Sequence, residues 1–378
     1  MDLSRGTPEE RVQHLCRRLD GDHEDCVCVF IDSGVNNKDL AMIATSVRNS
    51  KSLKELKLVF HSDFAEKITL EQVEVLGSMI VGSTTLEKIW LKISFKLEMN
   101  ANALLGRLSE CNATNIGITL LRNDMQKSTG DVVPAFLESL SLRQDQRLEL
   151  RLFNKVWMSI AAVRSLPRMM EKSLHSIFLS DCVFQDEADF IRSIAEALQK
   201  SNTISTFKMQ TCSRVNPFLE FMYGYHFGKA IASNNCLNDV EFYAFPAMGL
   251  DMLTDGIISC PTMLHAHAQC QSAHHNRALQ DACKHRISRC LKLRKMLRET
   301  NISPSNSGLV QEFWVAQLVS LLETERSQAD AYSWMREFPD VWVPAITVPA
   351  ACGEDEGESQ RALCGGHSSG TKKAKINY

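Results

Sequence analysis

Histidine and cysteine residues are concentrated in one part of the chain, between positions 265 and 290. Imidazole and thiolate are good zinc ligands, and Cys270 and His274 are spaced by one helical turn. The paired C-x2-C and H-x3-H spacing of structural zinc sites does not occur there, so buried thiols and surface histidines are the first interpretation. A zinc site at 265–290 is kept as an alternative, and its candidate ligands are His265, His267, Cys270, His274, His275, Cys283, His285 and Cys290.

Motifs of catalytic sites are scarce in this sequence. Neither HExxH nor CxxC occurs, and no Rossmann glycine pattern follows a predicted strand. The segment GGHSSGTKK at 365–373 resembles a phosphate loop, but a threonine separates Gly370 from Lys372 and no strand or helix is predicted around it. The sequence therefore predicts a protein that is not an enzyme, with no resident metal and no cofactor.

A basic stretch covers residues 277–299, where eight lysines and arginines oppose two acidic residues. Basic amphipathic helices dock on acidic proteins, anionic membranes or nucleic acid, although most are solvated faces of packed helices. No aromatic residue lies among the basic ones to stack on bases, so a nucleic-acid partner is unlikely. Regulation through docking of this helix on an acidic partner is the second alternative. Its predicted apolar face consists of Leu279, Cys283, Ile287, Cys290, Leu293 and Leu297.

A repeated spacing organises most of the remaining chain. The segment SLKELKL at Ser52–Leu58 is similar to three later segments, TLEKIWL at Thr85–Leu91, SLHSIFL at Ser173–Leu179 and TISTFKM at Thr203–Met209. Each has apolar residues at relative positions one, four and six, where position one is Leu53 in the first segment. This LxxLxL pattern is typical of leucine-rich repeats, and the spacing between copies accommodates one strand and one helix. With weaker copies, about nine units begin at Cys26, Leu53, Leu86, Asn115, Arg147, Leu174, Ile204, Leu237 and Met263.

Position nine of these units indicates the type of repeat. Leucine-rich repeats usually carry Asn or Cys there, and three units of this chain have Asn123, Cys182 and Cys212 at that position. Other units carry His61, Ser94, Lys155 and Phe245 instead. The chain thus resembles the ribonuclease-inhibitor-like subfamily of leucine-rich-repeat proteins in a degenerate form. The resemblance implies an α/β fold, a right-handed solenoid or horseshoe with a concave parallel sheet and outer helices, and it implies no single partner. Solenoids of this kind mostly bind other proteins.

Helical patterns lie between the predicted strands. Apolar residues recur at intervals of three and four residues in segments 39–50, 70–83, 187–202 and 218–234. In one of them, Phe190, Ile194 and Leu198 form a single stripe. Such a helix needs the strand of its own unit and the neighbouring units to bury that stripe.

The domain organisation follows from where the period starts and stops. Residues 1–25 are predicted to form an N-terminal cap, with a helix that starts at Pro8 after the capping residue Thr7. The repeats are predicted to cover 26–271, and a helical C-terminal cap is predicted at 272–348. The tail at 349–378 lacks apolar periodicity and is predicted to be disordered.

Composition indicates the compartment. Hydrophobic residues make up 44% of the 378 residues and charged residues 23%, and the 13 cysteines show no paired framework. No apolar run approaches the ~20 residues of a membrane span, and the N-terminal segment is too polar for a signal peptide. We therefore expect no membrane span and a cytoplasmic location, with the nucleus as the alternative.

The predicted strands also define the candidate partner-binding surface. Positions four and six point into the core, so positions three, five and seven point to the concave face. Large aromatic residues surrounded by charge are typical of protein interfaces, although aromatic residues are also ordinary strand formers. The predicted site for an unidentified protein partner consists of Lys57, Lys88, Trp90, Lys92, Arg151, Phe153, Phe178, Lys208, Glu241, Tyr243 and His267.

Overall fold

The structure is a computed structural model, and it describes residues 7–21, 25–31, 34–60, 68–94, 99–121, 137–138, 140, 142–153, 156–172, 174–211, 217–270 and 277–299. The chain divides into two compact units, Met1–Met296 and Leu297–Tyr378. All described residues belong to the first unit, except for the end of the last helix. The predicted cap at 272–348 is described only over 277–299, and the predicted tail at 349–378 lies outside the described residues.

Strands and helices alternate along the described chain. Its elements are α1 (Pro8–Asp20), β1 (Cys26–Ile31), α2 (Asn37–Asn49), β2 (Glu55–Phe60), α3 (Leu70–Gly82), β3 (Lys88–Ser94), α4 (Met99–Gly106), β4 (Asn115–Leu121), β5 (Arg147–Phe153), β6 (Trp157–Met158), α5 (Ile160–Lys172), β7 (Leu174–Ser180), β8 (Val183–Phe184), α6 (Glu187–Lys200), β9 (Thr206–Gln210), α7 (Pro217–Ser233), β10 (Asp239–Phe245), α8 (Leu250–Ser259), β11 (His265–Cys270) and α9 (Arg277–Glu299). Short 3-10 helices occupy Arg107–Glu110 and Ala247–Gly249.

Nine of these strands form one parallel sheet in the order β1-β2-β3-β4-β5-β7-β9-β10-β11, and β6 pairs with β8 in a separate parallel ribbon. Parallel neighbours need a crossover connection, and a helix supplies it between most consecutive strands. Between β4 and β5 the connection passes through residues 122–136, which are not described. The predicted α/β fold with a large parallel sheet is confirmed, and the architecture is compatible with an α/β solenoid.

The sheet has one face against the helices. Leu56 and Leu58 of β2 are fully buried, as are Ile89 and Leu91 of β3, whereas the residues between them reach the other face. Burying a leucine or isoleucine side chain contributes about 1.5–3 kcal/mol, so this alternation fixes which face of each strand points inward. The inward residues join the helices in one core that extends from Val12 of α1 to Ile287 of α9.

The strand register differs from the predicted repeat frame at β1 and β4. Cys26 pairs with Glu55, Lys88 pairs with Asn115, and Asn115 pairs with Arg147. Glu55 and Lys88 occupy position three of their units, so Cys26 and Asn115 occupy position three as well, and placing them at position one was wrong. Arg147 pairs with Asn115, but the register shifts between Leu148 and Glu149, and Glu149 pairs with Ser176 at position three of the β7 unit. The predicted frame of β5 therefore agrees with β7 and differs from β4. The difference at β1 and β4 is two residues, an even number, so the assignment of side chains to the two faces is unaffected.

Several helices begin with reciprocal capping interactions. The Thr7 hydroxyl accepts a hydrogen bond from the Glu10 backbone, and the Glu10 carboxylate accepts one from the Thr7 backbone, which confirms Thr7 as the cap of a helix beginning at Pro8. The same arrangement links Asn36 with Asp39 at α2. Each such cap contributes about 1 kcal/mol and sets the first residue of its helix.

Buried polar side chains connect successive units where a helix leads into the next strand. The Asn234 amide donates to the backbone oxygens of Leu198 at 2.6 Å and Ser201 at 3.0 Å, and its oxygen accepts from the backbone of Cys236 and Leu237. Because the side chain is only 1% exposed, these contacts replace water. Asn234 thereby fixes the spacing between α6 and β10.

The last described helix, α9, packs against α8. Its thiol at Cys283 contacts Asp251 of α8, and its Arg286 forms an ion pair of 2.6 Å with Asp255. The predicted apolar face is confirmed at Cys283, Ile287 and Cys290, all of which are buried. Among the helices that the structure describes, none is long and apolar enough to span a membrane.

Candidate functional site

All eleven residues of the predicted site lie on one face of the nine-stranded sheet. We call this surface the open face, because it is the face opposite the helices. The register places Val59, Lys92, Thr119 and Arg151 in one row across β2 to β5. The same row continues over β7, β9, β10 and β11 through Phe178, Lys208, Glu241 and His267.

Trp90 is the central side chain of the open face. Trp90 precedes Lys92 by two residues, so it lies in the row next to the one just described. In that row it is directly paired with Gly117 of β4. The ring packs against this glycine so closely that a Cβ atom there would lie 2.1 Å from Cε3 of Trp90. The indole nitrogen donates a hydrogen bond of 3.0 Å to the Thr119 hydroxyl. The ring is therefore held flat across β4 rather than standing free in solvent.

Two cations lie over the Trp90 ring. The guanidinium carbon of Arg151 is 4.3 Å from the ring centroid, and the ammonium of Lys88 is 5.5 Å from it. Both distances are within the range of favourable cation–π attraction, which contributes about 0.5–1 kcal/mol at exposed sites. Arg151 also lies 3.8 Å from the carboxylate of Glu149 on its own strand. Trp90 thus brings cations from β3 and β5 to the same place.

Around Trp90 the open face forms a cleft of about 570 Å³, which we call the cationic cleft. Four cationic side chains and one carboxylate line it, although the whole chain has a net charge of −3. Its lining residues are Glu55, Lys57, Val59, Lys88, Trp90, Lys92, Thr119, Leu121, Arg151 and Phe153.

The single carboxylate of the cleft, Glu55, neutralises only part of its charge. Glu55 lies 3.2 Å from the ammonium of Lys57 and 3.9 Å from that of Lys88. The hydrogen bond to Glu55 raises the pKa of Lys57 above its ordinary value, so Lys57 is charged at neutral pH. Lys92 is exposed and forms no ion pair with any residue that the structure describes. Positive charge therefore remains available in the cleft.

An aromatic contact joins the cleft to the neighbouring part of the open face. Phe153 and Phe178 meet edge to face, with ring centroids 4.9 Å apart. Their strands, β5 and β7, are neighbours in the sheet, so this pair covers the boundary between two units. Both rings are on the open face, as predicted, and are half-buried there. They stabilise the sheet as well as presenting apolar surface.

A second cluster, the Lys208 network, occupies β9 to β11. The ammonium of Lys208 lies 2.6 Å from Glu241 and 3.4 Å from Asp239, and Nδ1 of His265 lies 2.8 Å from Asp239. The Tyr243 hydroxyl donates to Glu241, and the Tyr243 ring lies 5.4 Å from that of His267. Two carboxylates surround one lysine here, so this network, unlike the cationic cleft, has no excess of positive charge.

The pKa values of the Lys208 network reflect its mutual contacts. Burial alone would raise the pKa of Glu241, but hydrogen bonds from Lys208 and Tyr243 and the charge of Lys208 lower it overall. Burial alone would lower the pKa of Lys208, but Glu241 and Asp239 raise it overall. The hydrogen bond to Glu241 raises the pKa of Tyr243. At neutral pH, Glu241 and Lys208 therefore form a charged pair.

The open face contains one group with metal-ligand chemistry in the described part of the chain. Asp239, Glu241 and His265 place ligand atoms within 4.8 Å of one another. The ammonium of Lys208 contacts both carboxylates and offsets one of their two negative charges. These three residues therefore do not favour a metal ion.

The predicted zinc ligands are not brought together as a set. His265 and His267 point to the open face, whereas Cys270 is buried on the inward side of the same strand. Burial raises the pKa of Cys283 to about 11, which disfavours the thiolate that zinc needs. Cys290 is also buried and contacts the backbone oxygen of Ile258. His274 and His275 lie outside the described residues.

The basic helix α9 uses part of its charge for packing. Arg286 pairs with Asp255, and the Arg294 guanidinium donates to the backbone oxygen of Ile258. Both contacts join α9 to α8. Lys284 and Lys292 are exposed. Part of the basic stretch therefore stabilises the packing of α9 against α8.

Two features of the exposed surface were not predicted from the sequence. Gly117 and Thr119 position Trp90, and only the pairing of β3 with β4 reveals that role. On α7, Phe218, Phe221 and Tyr225 form an exposed stripe on the helix side, with 67%, 44% and 47% of their surfaces accessible. Their spacing of three and four residues marks one helix face, but the sequence pattern alone places such a face inside.

No model of a known protein family matches this chain, and no curated protein is similar to it.

Proposed function

We propose that this chain is a non-enzymatic protein-binding scaffold of leucine-rich-repeat type, related in pattern to the ribonuclease-inhibitor-like subfamily. In this proposal the open face is the concave face of a solenoid, and a protein partner binds there. The observation that carries the proposal is the Trp90 ring, held by Gly117 and Thr119 at the centre of a cleft lined by cations.

A fixed aromatic ring is suited to binding because little side-chain entropy is lost when a partner contacts it. Interface energy is concentrated in a few residues, among which Trp, Tyr and Arg are enriched. Trp90, Arg151 and Tyr243 are such residues, and all three lie on the open face. Their charged neighbours favour specificity and fast association more than affinity.

The two alternatives receive less support. The zinc hypothesis needs thiolates at Cys283 and Cys290, which are buried, and the basic-helix hypothesis needs charges that α9 partly uses against α8. A cytoplasmic or nuclear location and the absence of an enzymatic activity remain predictions.

The test compares two triple variants of the full chain as baits. The open-face variant carries Trp90→Ala, Phe178→Ala and Tyr243→Ala, and the control carries alanine at the exposed α6 positions Arg192, Gln199 and Lys200. Partners purified with the wild-type chain are identified by mass spectrometry and then titrated, as purified proteins, against each variant. Circular dichroism and melting temperature establish that each bait is folded.

We expect the open-face variant to lose most of its affinity for the direct partner and the control to keep it. A third variant, with Phe218 and Phe221 changed to Ser, tests the exposed stripe of α7. If the α6 control or the α7 variant loses the partner and the open-face variant retains it, the partner binds the helices and the proposal is wrong.

A further inference from the structure

The charge of the cationic cleft indicates the chemistry of its ligand. Its four cations face one carboxylate in a chain whose net charge is −3. Like charges held close together are unfavourable unless something compensates them. Glu55 is shared between Lys57 and Lys88, Glu149 beside the cleft lies 3.8 Å from Arg151, and Lys92 forms no ion pair with any described residue, so the positive charges exceed the negative ones. The cleft is thus electrostatically complementary to an anion with several charges.

Two apolar residues, Leu121 and Phe153, lie at one end of the cleft. Leu121 pairs with Phe153, and both lie at the last positions of β4 and β5. Lys57 and Lys88 lie nearer the start of β2 and β3. A ligand that lies across these strands would place negative groups over the lysines and an apolar side chain over Leu121 and Phe153. A single small anion would use only half of this surface.

Trp90 helps to decide between an acidic peptide and a nucleic acid. Binding of single-stranded nucleic acid uses exposed aromatic rings on which bases stack. Here the Trp90 ring packs against Gly117, and the guanidinium of Arg151 lies 4.3 Å from its centroid. A base would have to displace Arg151 to stack there. Carboxylates can instead pair with the edge of the Arg151 guanidinium while it stays on the ring.

We propose that the cationic cleft binds an acidic peptide segment of the protein partner, one rich in Glu and Asp with one large apolar side chain. This inference rests on the proposed function, because it assigns the ligand class of the same open face. Lys57, Lys88, Lys92 and Arg151 pair with the carboxylates, and Leu121 and Phe153 receive the apolar side chain.

The experiment uses a fluorescein-labelled synthetic peptide of alternating Glu and Asp residues around one central Phe. Fluorescence anisotropy measures its binding to the purified full chain at low and raised salt. One control peptide replaces every Glu and Asp with Gln and Asn, and a second keeps the acids and replaces Phe with Ser. A labelled oligothymidylate of the same charge tests the nucleic-acid alternative.

Three matched variants locate the binding. The cleft variant carries Lys57→Glu, Lys88→Glu and Lys92→Glu, and the helix-side variant applies the same charge change at Arg192, Lys200 and Lys229, which are exposed. The third variant carries only Lys92→Glu. Lys92 is exposed and forms no ion pair with a described residue, so we expect this variant to lose the least stability of the three. Circular dichroism and melting temperature check that all three are folded.

We expect the acidic peptide to bind and its affinity to fall as salt increases, because paired surface charges are screened. The triple cleft variant should weaken binding by roughly tenfold or more and Lys92→Glu by a few-fold, with little change in the helix-side variant. The uncharged peptide should not bind, and the Ser peptide should bind several-fold more weakly.

Three results would overturn the inference: no binding of the acidic peptide, equal loss in the cleft and helix-side variants, or binding of the oligonucleotide alone. The open-face variant with three alanines distinguishes failure of this inference from failure of the proposed function. If that variant loses the partner while the acidic peptide does not bind to the wild type, the open face is the binding surface and only the assigned ligand class is wrong.

Discussion

Gly117 of β4 and Trp90 of β3 are directly paired, and the glycine lies against the tryptophan ring. A Cβ atom at position 117 would be 2.1 Å from Cε3 of Trp90, a separation that non-bonded atoms do not reach. The absence of a side chain at position 117 therefore allows the ring to lie across β4, where it reaches the hydroxyl of Thr119 and the guanidinium of Arg151.

The first prediction concerns this pair. Gly117→Ala should destabilise the protein by about 1–3 kcal/mol, because the new methyl group forces the Trp90 ring or the strand to move. In a chain that already carries Trp90→Ala, the same substitution should have little effect, since the space is then free. Chemical denaturation of the two single variants, the double variant and the wild type measures this coupling.

Gly106→Ala provides the matched control for that experiment. A Cβ atom at Gly106 would meet nothing within 4 Å, and its backbone is right-handed helical, so alanine should be neutral or stabilise by about 0.4–1 kcal/mol. Equal costs of Gly117→Ala with and without Trp90 would show that the ring is not what the glycine accommodates.

The second prediction compares two adjacent residues of β7. Leu179 is 1% exposed, so Leu179→Ala should leave a cavity and destabilise the protein by about 2–5 kcal/mol. Phe178 points to the open face, and its edge-to-face contact with Phe153 contributes about 0.5–1.5 kcal/mol beyond its burial. Phe178→Ala should therefore be the milder change in urea denaturation. Equal losses at the two positions would place both side chains in the core.

The third prediction tests the buried amide of Asn234. Asn234→Ala removes the donor to Leu198 and Ser201 and the acceptor for the backbone of Leu237. Each buried group left without a partner costs about 1–3 kcal/mol, so the variant should unfold at a markedly lower denaturant concentration. Hydrogen exchange should report faster opening at the start of β10, because the amide of Leu237 loses its acceptor.

Ser233 is the control for Asn234, since it is the preceding residue and its exposed hydroxyl contacts only the backbone oxygen of Lys229 in its own helix. Ser233→Ala should change the stability by no more than about 0.5 kcal/mol. Indistinguishable denaturation midpoints for the Asn234 and Ser233 variants would mean that water replaces the amide at little cost.

The sequence was sufficient to predict which side chains face the core. Leu56 and Leu58 are separated by one residue, and alternation in a strand needs no knowledge of its neighbours. Another local signal, a capping threonine followed by proline, predicted the helix that begins at Pro8. Local patterns thus predicted the α/β class and the membership of the open face.

The register between strands could not be predicted in the same way. Position one of the β4 unit is Ala113, which is fully buried but too small to stand out in the pattern, so the frame was set on Asn115 instead. That frame would place Thr119 beside Trp90, whereas Gly117 is there. The flat packing of the ring and its contact with Arg151 depend on this register, so only the paired strands reveal them.

The last prediction concerns the acid range, where Glu241 titrates. Its folded pKa is lowered, so its stabilising contribution is present above the ordinary glutamate pKa and is lost as pH falls through the lowered value. Lys208→Met removes the ammonium, so that burial, which raises the pKa of Glu241, is opposed mainly by the hydrogen bond from Tyr243. The loss should therefore begin at a higher pH. At neutral pH the variant should be less stable by about 1 kcal/mol or less, because the pair is partly exposed.

Carbon-13 NMR of the Glu241 carboxylate and the free energy of unfolding between pH 7 and pH 3 measure these two effects. The raised pKa of Lys208 does not contribute in this range, since its stabilisation is fully present below the ordinary lysine pKa and is lost only as pH rises through the raised value. Lys54→Met is the matched control, because Lys54 and Glu87 form a 3.4 Å ion pair with about two thirds of each side chain exposed. If both variants give the same pH profile, Lys208 does not determine the ionisation of Glu241, and the Lys208 network is an ordinary set of surface charges.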